Sequence, residues 1–168
     1  VRRYFRAALE EGGPIVAGVS LRHTGTFNMG EQEDSWRPFT SEQWVEPAGP
    51  GFLWNGSIAM APGLPVRVHD AYVGGDGILR AAVLGLVQVG DQPPGPLLDE
   101  GELLRYLAEA AWYPTALLPS QGMVWEAVDD RSAFAVLTHG ETTVRMLFTF
   151  SDDGLIERVT ASARGRAV

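Results

Sequence analysis

LLDEGELLRYLAEAAWY, Leu97 to Tyr113, is the stretch on which the fold turns. Leu103, Leu107 and Ala110 recur at helical spacing, with Leu104, Tyr106 and Ala111 beside them, so one stripe of a helix is apolar. At about 100° per residue, Glu102, Arg105, Glu109 and Trp112 fall on the opposite side. Asp99 and Glu100 lie near the start, where carboxylates favour the helix dipole, and Pro114 ends the run. Arg105 and Glu109 stand one turn apart and can pair. A solvated ion-paired face is the ordinary reading of such a side, but Trp112 argues against it, because a lone indole on a fully wet face is uncommon. The pattern predicts one long helix that packs on a sheet with one face and lines a cavity or covered seam with the other.

Working outward, Val1 to Glu10 reads as a short helix stopped by Gly12, Gly13 and Pro14. Ile15 to Met29 reads as strand, Gly30 to Ser35 as a polar turn, and Trp36 to Glu46 holds a short extended piece. Gly51 to Ala61 alternates cleanly, with Phe52, Trp54, Ile58 and Met60 on one face. Val66 to Val73 follows, then the turn Gly74 to Gly77. Ile78 to Val89 is apolar on both faces and is expected to be one strand covered on both sides. Beyond the helix come Met123 to Val128, Ala133 to Thr138, Thr142 to Phe150 and Leu155 to Ala163, joined by short polar turns. Tight connections imply antiparallel pairing, since parallel strands need long crossovers. Strands segregated from helices mean α+β. The expected fold is a strongly curved antiparallel sheet of about nine strands, an unclosed barrel. It carries an N-terminal helix and one long central helix against the concave face, within a single domain over residues 1–168.

Composition bounds the function. With 13 basic against 21 acidic residues in 168, the net charge is −8, which repels phosphate backbones and predicts no nucleic-acid partner. All basic residues are Arg, which reflects the coding bias of a GC-rich source, not a mechanism. There are no cysteines, so disulfides, thiol catalysis and Cys-based metal sites are excluded. No apolar run approaches the roughly 18 residues of a membrane-spanning helix. The chain opens on Val1 and shows no export signal, which favours a cytoplasmic location.

Catalytic and cofactor signatures are missing: there is no GxGxxG, P-loop, HExxH or GxSxG, so no cofactor and no metal site is predicted. His23, His69 and His139 lie on separate elements, with His23 and His69 near mid-strand, where they can meet across the sheet. His23 and His69 read first as hydrogen-bonded strand histidines, with a metal or acid–base role as the sharper alternative, and His139, in a hairpin turn, reads as solvated. Val66, Val68, Asp70 and Tyr72 share a strand face, so Asp70 follows two valines onto the core side. A buried carboxylate needs a partner, and Arg105 or Arg67 can supply it. A structural ion pair is the first reading, and an acid–base carboxylate beside Tyr72 the second. Glu126, after Trp125, admits the same two. Trp54 and Trp125 sit on strand faces, while Trp36 and Trp44 flank a polar loop; all four read as packing or as the lining of an apolar pocket.

Trp36-Arg37-Pro38-Phe39-Thr40, Pro50-Gly51-Phe52-Leu53-Trp54 and Met60 to Val68 with Asp70-Ala71-Tyr72 resemble a bacterial family known only as a domain of unknown function. The strongest match is Gly101 to Ala110, followed by Trp112 and Pro114 to Pro119, and the likeness covers nearly the whole chain. The resemblance implies no established activity. The family commonly has Arg where this chain has His69, which counts against an essential role for that histidine. The element order is also similar to the bacterial lipoprotein-carrier (Lol-type) half-barrel, whose members hold lipid or acyl chains in an apolar cavity.

Three functions fit. The first is non-catalytic binding of a hydrophobic small molecule or lipid between sheet and helix, with Trp54, Tyr72, Arg105, Glu109, Trp112 and Trp125 as contacts. The second is a cofactor-independent isomerase, cyclase or hydrolase, using Asp70, Glu109 or Glu126 as general base, with Tyr72 or Arg105 polarising the substrate. The third is an interaction domain that offers a sheet edge or a Trp patch to a partner chain.

Overall fold

The computed structural model describes residues 1–30 and 33–161. After helix α1 (Arg2–Ala8), six strands follow in a meander: β1 (Val19–Asn28), β2 (Trp36–Glu46), β3 (Gly51–Ala61), β4 (Leu64–Val73), β5 (Asp76–Val83) and β6 (Val87–Asp91). They pair antiparallel in chain order as one open sheet. Helix α2 (Pro96–Glu109) comes next, and then β7 (Val124–Ala127), β8 (Ser132–His139), β9 (Thr142–Phe150) and β10 (Ile156–Ala161) form a second open antiparallel meander. The α+β class and the unclosed antiparallel strands stand as expected. The single sheet of about nine strands does not: among the described residues there are two sheets, of six and four strands. The residues from Gln92 to Met123, which contain α2, separate the two blocks of hairpins, so no tight turn carries the first sheet into the second.

The long central helix is also shorter than expected. It ends at Glu109 and tightens into three-residue-per-turn helix at Ala110–Trp112, Pro114–Leu117 and Pro119–Gln121. Pro114 accounts for the break after Trp112: proline disfavours helical angles at the preceding residue, and Tyr113 sits at φ −137° and ψ 66°. Ile78 to Val89 is not one covered strand but the hairpin β5–β6, and every residue of β6 is exposed. The turn uses Leu84 at φ 53° followed by Gly85, with the Leu86 N–H bonded to the Val83 carbonyl. Asn or Asp is the usual first residue of such a turn, which is why Leu-Gly does not announce one. The Trp36–Glu46 stretch is a full strand of 11 residues. The end of the strand expected over Leu155 to Ala163, and Glu31 and Gln32 of the polar turn, lie outside the described residues.

Helix α2 lies between the sheets, touching β4 and β5 of the first and β9 of the second. Leu103, Leu104, Leu107 and Ala110 join one apolar core with Ala133, Ala135, Leu137, Val144, Met146 and Phe148 of the second sheet. Full burial of each large aliphatic side chain contributes about 2 kcal/mol. Tyr4 of α1 enters the same core, 5.8 Å from the Phe150 ring. The helix start is seated on Gly77: the Asp99 carboxylate accepts the Gly77 N–H at 2.7 Å, and a Cβ on that glycine would fall 2.8 Å from Leu98 Cγ and 2.9 Å from Leu98 backbone atoms. The helix end is tied by buried phenols. Tyr113 donates to the Tyr106 carbonyl at 2.7 Å, and Tyr106 donates to the Pro47 carbonyl at 3.1 Å.

Gly77→Ala is expected to lower the urea midpoint by the equivalent of about 1–3 kcal/mol, because the new methyl meets helix backbone that has no room to yield. An unchanged midpoint would show that α2 is not seated there. Alkaline stability gives a second check. Burial pushes the Tyr4 phenol from 10.0 up to about 12, and burial also raises Tyr106 and Tyr113. In the unfolded chain these phenols ionise near pH 10, whereas in the fold they hold their protons. Stability is therefore intact below about pH 10 and is lost as the pH rises beyond it, by about 2–3 kcal/mol from Tyr4 alone near pH 12. A urea midpoint that stays level up to about pH 11.5 would contradict this.

Candidate functional site

Leu21, Gln43, Trp54, Asp70 and Leu79 are successive cross-strand partners from β1 to β5, so the sheet sets them in one row on one face. Helix α2 crosses this row. Arg105 Nη1 donates to Asp70 Oδ2, and Arg105 Nε donates to Glu109 Oε1 at 2.8 Å. Gln43 Nε2 donates to Glu109 Oε2 at 2.6 Å. The guanidinium carbon lies 4.7 Å from the centre of the Phe52 ring and 5.4 Å from that of Trp54. Gly56 makes room for this arrangement, since a Cβ there would stand 2.1 Å from the tip of the Trp54 indole.

The electrostatics follow from burial. Asp70, Arg105 and Glu109 keep only 12%, 16% and 18% of their side-chain surface exposed. Burial alone lowers the Arg105 pKa, but the adjacent Asp70 and Glu109, helped by Glu102, outweigh it and hold the guanidinium above its ordinary value. Glu102, one turn before Arg105, is 2% exposed. Two acceptors in this cluster, Asp70 Oδ1 and Gln43 Oε1, are buried and receive no hydrogen bond from the described residues. Such an unmet acceptor costs about 1–3 kcal/mol.

Beside the cluster a partly open cavity of about 1200 Å³ runs between the first sheet and α2. Its walls divide in two. Phe39, Ile58, Val66, Val68, Leu79 and Val83, set by strand alternation, make an apolar trough; Gln43, Asp70, Glu102, Arg105 and Glu109 make a polar end. At the mouth, Phe27, Met29, Leu64 and Val89 line the trough and also reach solvent. Trp112 and His23 form another part of the rim, with ring centres 5.7 Å apart, and His23 Nδ1 bonds the Ser41 hydroxyl at 2.9 Å. Trp112 is 56% exposed, so its indole is a rim group and is not enclosed.

Of the residues singled out from the sequence, Trp54, Asp70, Arg105, Glu109 and Trp112 all border this cavity. Three others stand outside it. Tyr72 bonds His139 Nδ1 through its hydroxyl at 3.1 Å and borders a separate cavity of about 730 Å³ near the β1 and β3 starts. Trp125 packs edge-on against Phe148 at 5.3 Å and Phe5 at 6.3 Å, and donates its indole N–H to the Leu117 carbonyl, so it serves the core of the second sheet. Glu126 faces outward and takes two bonds from Arg145, at 2.8 and 3.0 Å, with both side chains half exposed. His69 bonds Asn55 on the face of the first sheet opposite the row of Asp70, so it does not meet His23. Gln43 was not foreseen as a site residue. Its signal was a polar side chain between Ser41 and Val45 on the alternating inward face of β2.

Among the described residues no helix is long and apolar enough to cross a membrane, and no group of three or more His, Asp or Glu is placed to hold a metal ion. The molecule is thus an α+β protein with two open antiparallel sheets and a divided cavity under its main helix. Over residues 1–168 the chain matches DUF6920, a family of unknown function, and belongs to that family. No curated protein and no solved structure matches it.

Arg105→Met keeps the stem of the side chain but leaves Asp70 and Glu109 buried beside no cation, and is expected to cost about 3–5 kcal/mol in urea unfolding. The triple change Arg105→Met, Asp70→Asn, Glu109→Gln removes the stranded charges and should recover part of that loss. A single variant within about 1 kcal/mol of the parent would mean that the ion cluster does not bear on stability.

Proposed function

We propose that this protein binds a hydrophobic small molecule or lipid, without catalysis, in the cavity between the six-stranded sheet and α2. The observation that carries the reading is the cavity's division: about 1200 Å³ with an apolar trough and one charged end. Ligand pockets commonly occupy about 300–1,000 Å³ and pair apolar walls with a few placed polar groups. The apolar lining runs out to the surface through Phe27, Met29, Leu64 and Val89, which suits an alkyl chain entering lengthwise.

The enzymatic alternative draws less support. A general base must be free to take a proton, whereas Asp70 and Glu109 are bonded to Arg105, and Glu126 to Arg145 outside the cavity.

Nile red, an uncharged apolar dye, is expected to gain fluorescence on the ligand-stripped protein and to be displaced by decan-1-ol. Ala81 borders the trough from β5, so Ala81→Phe fills it and should weaken dye binding about tenfold, the equivalent of about 1.4 kcal/mol. Wild-type protein that neither takes up the dye nor carries an apolar ligand in native mass spectrometry would refute the reading.

A further inference from the structure

The polar end of the cavity is rich in acceptors, and its one guanidinium is already paired with acids of the protein itself. Arg105 is the one Lys or Arg bordering the cavity among the described residues. Its Nη1 and Nε are committed to Asp70 and Glu109, and its guanidinium lies over Phe52 and Trp54. Three carboxylates, from Asp70, Glu102 and Glu109, surround that one cation. Gln43 is fully buried and Asp70 nine-tenths buried, and each holds an oxygen that receives no hydrogen bond from the described residues. An anionic head group entering here meets three carboxylates and a single guanidinium already paired with two of them. A head group with an O–H or N–H meets acceptors that burial has stripped of water.

Building on the cavity reading above, we infer that the ligand is an amphiphile with a hydrogen-bond-donating, non-anionic head, a hydroxyl or an amine on an alkyl chain, and not a fatty acid or a phosphate ester. The chain fills the trough from Phe39 to Val83, and the head reaches the Asp70–Gln43 end. Selectivity arises because the protein's own cation is neutralised before the ligand arrives.

Four ligands with matched chains test this by Nile red displacement from wild-type protein: decan-1-ol, decylamine, methyl decanoate and decanoate. The alcohol and the amine are expected to bind about tenfold or more tightly than both the ester, which is neutral but lacks a donor, and the carboxylate. Gln43→Met, close in shape but without the amide oxygen, should reduce the alcohol-over-ester preference severalfold. A carboxylate that binds as tightly as the alcohol overturns the inference. Equal binding of all four does the same, yet leaves the cavity reading standing. If none displaces the dye and the dye itself does not bind, the cavity reading falls, and this inference with it.

Discussion

One guanidinium joins the two halves of this molecule's architecture. Arg105 projects from a helix whose other face belongs to the core of the four-stranded sheet, and it reaches Asp70 on the fourth strand of the six-stranded sheet. A buried ion pair of this kind is a poor source of net stability, because desolvation offsets most of the Coulomb gain. It is nevertheless demanding: once three charged side chains have been drawn out of water, none can be removed or displaced cheaply. The helix is held at one angle over the row Gln43, Trp54, Asp70, and the space left beside that row is the cavity.

The clamp also sets the chemistry of that space. A free arginine at the end of an apolar trough would be a receptor for carboxylates and phosphates. Here the arginine is paired with the protein's own acids and lies over two aromatic rings. The same contacts occupy Asp70 and Glu109, two of the three carboxylates that border the cavity.

Much of this was legible in the residues. The helical spacing of Leu103, Leu107 and Ala110, against Glu102, Arg105, Glu109 and Trp112, separated a core face from a second, polar face before any coordinates, and the second face does border the cavity. Asp70 between inward valines announced a buried carboxylate in need of an arginine, and Arg105 was one of two candidates. Other readings failed for local reasons. The β5–β6 hairpin was hidden because Leu84 occupies a left-handed position that leucine rarely takes. Trp125 resembled Trp54 in strand context, but it lies on the other sheet, and nothing in a single strand's alternation says which sheet it joins. Gln43 read as one polar residue among many, since burial of a polar side chain depends on what covers the strand.

By itself the sequence determined the kinds of element, their antiparallel neighbours and the faces of the helix, because hydrophobic period and turn chemistry are local properties that each segment carries with it. Only the tertiary structure decided that the hairpins divide into two sheets, that Arg105 answers Asp70 rather than Arg67 doing so, and that five of the singled-out residues gather around one cavity while Tyr72, Trp125 and Glu126 do not. Those outcomes depend on contacts between residues far apart in the chain, and periodicity has no reach over that distance: Asp70 and Arg105 are 35 residues apart and meet only because a helix is laid across the sheet.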